Sequence, residues 1–188
     1  MTDRSDGIIE DCGAILVKGS AKLYGGVRMS EGFNASEIFE MALDFERQGV
    51  RFYNRASEMF EEPEIKSMLT SLAAMEAEHE QIFSSMRECL VGYKGYADVF
   101  DPDGIAASYL RAMTAGKVFD AMAPLTGSET LADILKKGIE AEKNSVVFYT
   151  GIRSVVPENL GRDKVDKIIE EEMSHIVILS DKLSSLKS

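Results

Sequence analysis

Glu76-Ala77-Glu78-His79 and Glu172-Met173-Ser174-His175 are two copies of a Glu-x-x-His tetrapeptide, and they contain both histidines of the chain. Ninety-six residues separate them. The same interval separates Glu46 from Glu142 and Tyr53 from Tyr149. In each copy a Glu lies thirty residues ahead of the tetrapeptide, and a Tyr follows that Glu seven residues on. Four agreeing offsets point to a duplicated helical hairpin whose carboxylates and imidazoles hold two metal ions.

The flanking periodicity is helical. Steps of three and four place Ile38, Ala42, Phe45, Glu46, Gly49, Tyr53 and Ala56 on one face of a first helix, with Asn34 as its N-cap and Glu37 set to reach back to the cap. After a break at Glu61-Glu62, Pro63 suits the first turn of a second helix. Its stripe is Ile65, Leu69, Leu72, Glu76, His79, Phe83, Met86 and Leu90, ended by Gly92 and Gly95. The connector over 92–127 is too long for a tight turn, and Asp101-Pro102-Asp103 can start a short helix through Ile105–Met113. A third helix is expected to cap at Thr126 or Ser128 and to bury Leu131, Leu135, Gly138, Glu142, Ser145, Tyr149 and Ile152. Pro157 and Gly161 interrupt it. A fourth buries Val165, Ile168, Glu172, His175, Leu179 and Leu183.

The spacing also sets the heights of these groups. Residue 61 is midway between Glu46 and Glu76, and Pro157 is midway between Glu142 and Glu172. Each Glu is therefore roughly 22 Å from its bend at 1.5 Å per residue, and antiparallel pairing brings partners level. Within each Glu-x-x-His the two side chains share one helix face. Four Glu and two His then meet in an otherwise apolar core. Buried carboxylates are costly and repel one another. Two divalent cations balance four carboxylates. The donors are hard oxygens with imidazole and no sulfur, which suits iron or manganese and leaves zinc open.

Taken singly, none of these features is specific. A lone Glu-x-x-His arises by chance, a Tyr on a stripe is ordinary packing, and the ten Met are gap-fillers. The conjunction carries the weight. Tyr53 and Tyr149 lie two helical turns from a Glu, close enough for a hydroxyl to bond a carboxylate of the site. They are the candidate catalytic residues that support the metal ligands.

The 188 residues, 45% hydrophobic and 28% charged, suit one helical domain with a real core. A net charge of −11 with no basic run argues against nucleic acid. Ala14-Ile15-Leu16-Val17 is too short for a signal core or a membrane span, so neither export nor a membrane is expected. Cys12 and Cys89 are the only cysteines. They exclude a disulfide framework or a sulfur-ligated metal and read as two reduced thiols in a cytoplasmic protein. Residues 1–33, Gly-rich and without a sustained period, are expected to form an arm or loose segment ahead of a bundle over 34–188.

Glu46-x6-Tyr53, Glu76-x-x-His79, Glu142-x6-Tyr149 and Glu172-x-x-His175 together resemble the rubrerythrin branch of the ferritin-like di-iron carboxylate superfamily, over roughly residues 34–186. The general ligand pattern of that superfamily is one Glu from each of two helices and a Glu-x-x-His from each of the others. The resemblance implies an all-α, ferritin-like four-helix bundle of two repeated antiparallel hairpins with a long connector between helices 2 and 3. It implies two irons as cofactor, with Glu46 and His79 on one, Glu142 and His175 on the other, and Glu76 and Glu172 bridging. It implies reduction of hydrogen peroxide or dioxygen and a homodimer or larger homo-oligomer.

Two departures qualify the resemblance. Rubrerythrins proper carry a rubredoxin domain whose iron sits on four cysteines, which two cysteines cannot build, so electrons are expected from an external donor such as a rubredoxin-type protein. They also carry an extra Glu three residues after the third-helix ligand. That position is Ser145 here, and its counterpart in the first repeat is Gly49. The set of donors is thus more symmetric and closer to a ferroxidase centre. The expected function is a peroxidase or ferroxidase. The alternatives are an iron-storage or iron-handling protein, or a non-enzymatic helical interaction protein held together by metal.

Overall fold

The computed structural model describes residues 35–91, 108–109, 124–158 and 161–186. Four long helices occupy almost all of this: α1 (Ala35–Ser57), α2 (Pro63–Val91), α3 (Leu131–Val155) and α4 (Arg162–Ser185). No strand occurs among the described residues. The all-α expectation holds, with breaks at the two places the spacing required.

Local chemistry sets the ends. Pro63 takes the first position of α2, where its missing N–H is no loss. The start of α3 differs from expectation. Thr130, not Thr126 or Ser128, is the N-cap: its side chain accepts from the Asp133 N–H, and the Asp133 carboxylate accepts from the Thr130 N–H. Thr126 and Ser128 instead bond each other through their hydroxyls, while the Glu129 carboxylate accepts the Thr126 and Gly127 N–H groups. A closed loop therefore occupies the residues expected to begin the helix. α3 runs out just before Pro157. α4 begins at Gly161, whose φ of 96° is left-handed and suits a residue without a side chain.

α1 packs along α2, α3 packs along α4, and the two hairpins meet with α1 against α3 and α2 against α4. One apolar layer joins Ile38, Phe39 and Ala42 of α1, Phe83 and Met86 of α2, Phe148 and Ile152 of α3, and Val165 and Ile168 of α4. The other joins Phe52 and Ala56, Leu69 and Leu72, Ile134 and Leu135, and Leu179. Each fully buried side chain of this size contributes ~1.5–3 kcal/mol. Helix direction follows from these layers. α1 runs from the first layer to the second, α2 and α3 run between them in opposite senses to α1, and α4 returns with α1.

α2 therefore ends at the layer opposite the one where α3 begins. That relation between the two helices is the one ferritin-like topology requires. Ser108 and Tyr109 are helical, inside the short helix expected there. The remainder of that helix, the Asn34 cap, the Gly92 and Gly95 stop and the arm over 1–33 lie outside the described residues. Tyr109 donates its hydroxyl to the Val147 carbonyl of α3 at 2.7 Å.

Cys89 near the end of α2 is disulfide-bonded, which corrects the expectation of two reduced thiols. Proximity in a fold, not spacing in sequence, decides whether a bridge can close. The thiol argument for a cytoplasmic protein goes with it. No described helix is long and apolar enough to cross a membrane.

Candidate metal centre

A polar layer lies between the two apolar ones. Glu46 comes from α1, Glu76 and His79 from α2, Glu142 from α3, and Glu172 and His175 from α4. All six are buried. The level heights argued from the hairpin midpoints are realised: six donors expected from sequence arrive at one place.

They fall into two overlapping groups. Glu46, Glu76, His79 and Glu172 each present one donor atom within 4.8 Å of the others, and so do Glu76, Glu142, Glu172 and His175. Glu76 and Glu172 belong to both, the arrangement that two bridging carboxylates produce. The His79 Nδ1 lies 3.1 Å from Glu172 Oε1 and 3.7 Å from Glu46 Oε2. The His175 Nδ1 lies 3.3 Å from Glu172 Oε2, 3.4 Å from Glu76 Oε1 and 3.7 Å from Glu142 Oε1. The two imidazoles stack with centroids 5.8 Å apart and planes 22° from parallel. Each turns Nδ1 toward the carboxylates.

The tyrosines support this layer across the hairpins. Tyr53 of α1 donates to Glu142 of α3, and Tyr149 of α3 donates to Glu46 of α1. Both hydroxyls are buried, so each terminal carboxylate has one oxygen oriented and the other left for the centre.

Burial pushes Glu46, Glu76 and Glu142 above the usual carboxylate range, and neighbouring carboxylates push Glu76 and Glu142 further in the same direction. Burial acts on Glu172 likewise, but the close approach of Glu142, His175 and His79 outweighs it and holds Glu172 low. For the imidazoles burial favours the neutral form. The carboxylates of Glu172 and Glu46 beside its Nδ1 outweigh that at His79 and raise it to about 11. Glu142 and Glu172 do the same at His175, raising it to about 9. Without metal, the cluster holds itself together with protons.

The donors fit a pair of divalent ions. Glu76 Oε1, Glu142 Oε2, both Glu172 oxygens and both inward Nδ1 atoms are buried without a hydrogen-bond partner. Buried polar atoms are ordinarily paired, and here the unpaired ones share one locus. Ion coordination would satisfy them together and replace the protons that otherwise offset the repulsion among the carboxylates.

Three further residues bear on the site. Ser145 is buried and donates to the Ala141 carbonyl at 3.2 Å, so it adds no charge where a fifth carboxylate would stand. A Cβ at Gly49 would meet Glu76 Cγ, Cδ and Oε2 at 3.0 Å, which explains why a residue without a side chain stands there. Glu171 was missed from sequence. It stands on the solvent side of α4 yet reaches His79 Nε2 at 2.8 Å.

Fold and donors together define a ferritin-like carboxylate bundle with ligands for two metal ions. The rubrerythrin family model matches residues 37–184. The chain belongs to the rubrerythrin family. Among solved structures it is similar to a ferritin-like diiron-carboxylate protein from Thermotoga maritima, with 26% identity, a TM-score of 0.61, and coverage of 82% of this chain and 97% of that one. No curated protein matches the chain.

Proposed function

We propose that this chain is a di-iron carboxylate oxidoreductase that reduces hydrogen peroxide or dioxygen and is returned to its reduced state by an external electron donor. The observation that carries it is the pair of donor groups sharing Glu76 and Glu172. Glu46 and His79 would hold one ion, Glu142 and His175 the other, and Glu76 and Glu172 would bridge. The chemistry a bound iron pair supplies is a two-electron reduction, one electron from each ion.

The chain's own residues set the conditions for that chemistry. Tyr53 and Tyr149 fix the two terminal carboxylates by hydrogen bonds from opposite hairpins. Glu172, held ionised between two imidazoles, anchors the bridge. The apolar layers above and below keep bulk water from the buried donors. With only two cysteines the chain builds no four-cysteine electron-transfer site of its own, which supports a separate donor such as a rubredoxin-type protein. A homodimer or larger homo-oligomer is proposed by analogy with the family.

The symmetric set of donors, with Ser145 and Gly49 in place of added carboxylates, favours a second reading as a ferroxidase for iron handling. One experiment separates them. The metal-free protein is loaded anaerobically with Fe(II), and peroxide or dioxygen is then added while near-UV absorption, iron per chain and repeated turnover with a reductant are followed. Two irons per chain, an absorption change and sustained turnover support the oxidoreductase. Iron accumulating well beyond two per chain supports iron handling. Absence of any oxidation, with stabilisation by metal alone, contradicts both.

A further inference from the structure

The repeat makes the six donors symmetric, but it does not make their surroundings so. His79 Nε2, the nitrogen turned away from the cluster, meets the Glu171 carboxylate at 2.8 Å. His175 Nε2 is buried and has no hydrogen-bond partner among the described residues. Ninety-six residues before Glu171 stands Met75, which offers only a weak thioether acceptor. Where the second half supplies Glu171 to the outer nitrogen of His79, the first half thus carries a Met in the matching repeat position.

That difference matters to a bound ion. An imidazole that gives its Nδ1 lone pair to a metal carries its proton on Nε2. At His79 that N–H has a carboxylate to receive it. The charge-assisted bond fixes the tautomer, orients the ring and makes Nδ1 a stronger donor. At His175 the same N–H would stay buried and unpaired, which weakens the ligand state. Glu171 is half-exposed, at 50% of its side-chain surface, so its role in the apolar core is slight.

We propose that the two metal positions are inequivalent, that the position bounded by Glu46, Glu76, His79 and Glu172 fills first, and that Glu171 is the positioning residue responsible. This rests on the metal-centre reading above and deepens it. The order follows from the outer hydrogen bond alone, because the inner donors repeat.

The test is an anaerobic titration of the metal-free full chain with Co(II), followed by calorimetry and by visible absorption, with proton NMR of the shifted imidazole N–H signals. Two Co(II) per chain are expected, in two steps whose affinities differ by ~10–100-fold. The first step should bring one shifted N–H signal, assigned to His79. Glu171→Met should weaken the first step by ~10–100-fold, merge the two steps and alter that signal. Glu171→Gln, which keeps an acceptor oxygen, should fall between. Met75→Glu should strengthen the second step. Thermal unfolding of each metal-free variant checks that the bundle is retained, and Met75→Glu carries the test should Glu171→Met fail to fold. Two equal sites in the unaltered chain, or resolved steps that Glu171→Met and Met75→Glu leave unchanged, would overturn the inequivalence while leaving the metal centre standing. No Co(II) bound at all would overturn both.

Discussion

Tyr53 and Glu142 belong to different hairpins, and the hydroxyl of the first donates to the carboxylate of the second. Tyr149 and Glu46 repeat the relationship in the other direction. The consequence reaches past packing. Each hairpin contributes both a buried carboxylate and the hydroxyl that holds the other hairpin's carboxylate in place. Tyr53→Phe should strand a buried Glu142 oxygen and destabilise the metal-free protein by ~1–3 kcal/mol. It should also weaken the ion beside His175 by ~10–100-fold. Thermal unfolding with and without metal checks both.

Sharing of ligands sets a hierarchy among the carboxylates. Glu172 stands in both donor groups and Glu46 in one. Glu172→Ala should abolish tight binding of both ions. Glu46→Ala should leave about one ion per chain, at the Glu142 and His175 position. Elemental analysis after dialysis of the loaded proteins distinguishes these outcomes. Equal loss in both variants would contradict the bridging role.

The pH dependence has a definite sign. His79 and His175 sit at about 11 and about 9 in the fold, above the ordinary 6.5. Their contribution to stability is complete below 6.5 and is lost as pH rises through those values. Glu76 and Glu142 are also raised, so the fold binds more protons than the unfolded chain above 4.5. Glu172 has the opposite sense but is ionised in both states at neutral pH. Metal-free protein should therefore lose thermal stability from pH 6.5 to pH 9. Metal binding displaces those protons, so the rise in Tm on loading should grow over the same interval. A rise in Tm that shrinks with pH would contradict this.

Gly49 is the glycine packed against a carboxylate of the centre. Its neighbour there is the buried Glu76 side chain at 3.0 Å. Gly49→Ala should push a bridging carboxylate aside, destabilising the protein by ~1–3 kcal/mol and weakening both ions. Gly127, where a Cβ meets nothing within 4 Å but φ is 89°, is a control: substitution there should act only through backbone strain. Chemical denaturation and metal titration of the two variants separate the mechanisms.

The six donors were legible in the sequence because duplication states each spacing twice. One Glu-x-x-His is noise, but matched intervals from Glu46 to Glu142 and from Tyr53 to Tyr149 are not. The hairpin bends followed from the same arithmetic. Glu171 escaped because its counterpart is Met75: a reading guided by the repeat passes over whatever the repeat does not share. The start of α3 escaped because Thr126, Ser128 and Thr130 are all competent caps, and only the reciprocal bond with Asp133 chooses among them. The cross-hairpin pairing of the tyrosines depends on α1 facing α3, which periodicity within one helix does not specify. The bridge at Cys89 depends on a distance in space that residue numbers do not carry.

Binding of Fe(II) to the metal-free chain under anaerobic conditions, measured as iron per chain at saturation, bears most directly on whether buried acid here exists to receive cations. Saturation at two irons per chain, falling to about one in Glu46→Ala, is the expected result. Fewer than one iron bound to the unaltered chain, with the bundle intact, would contradict it.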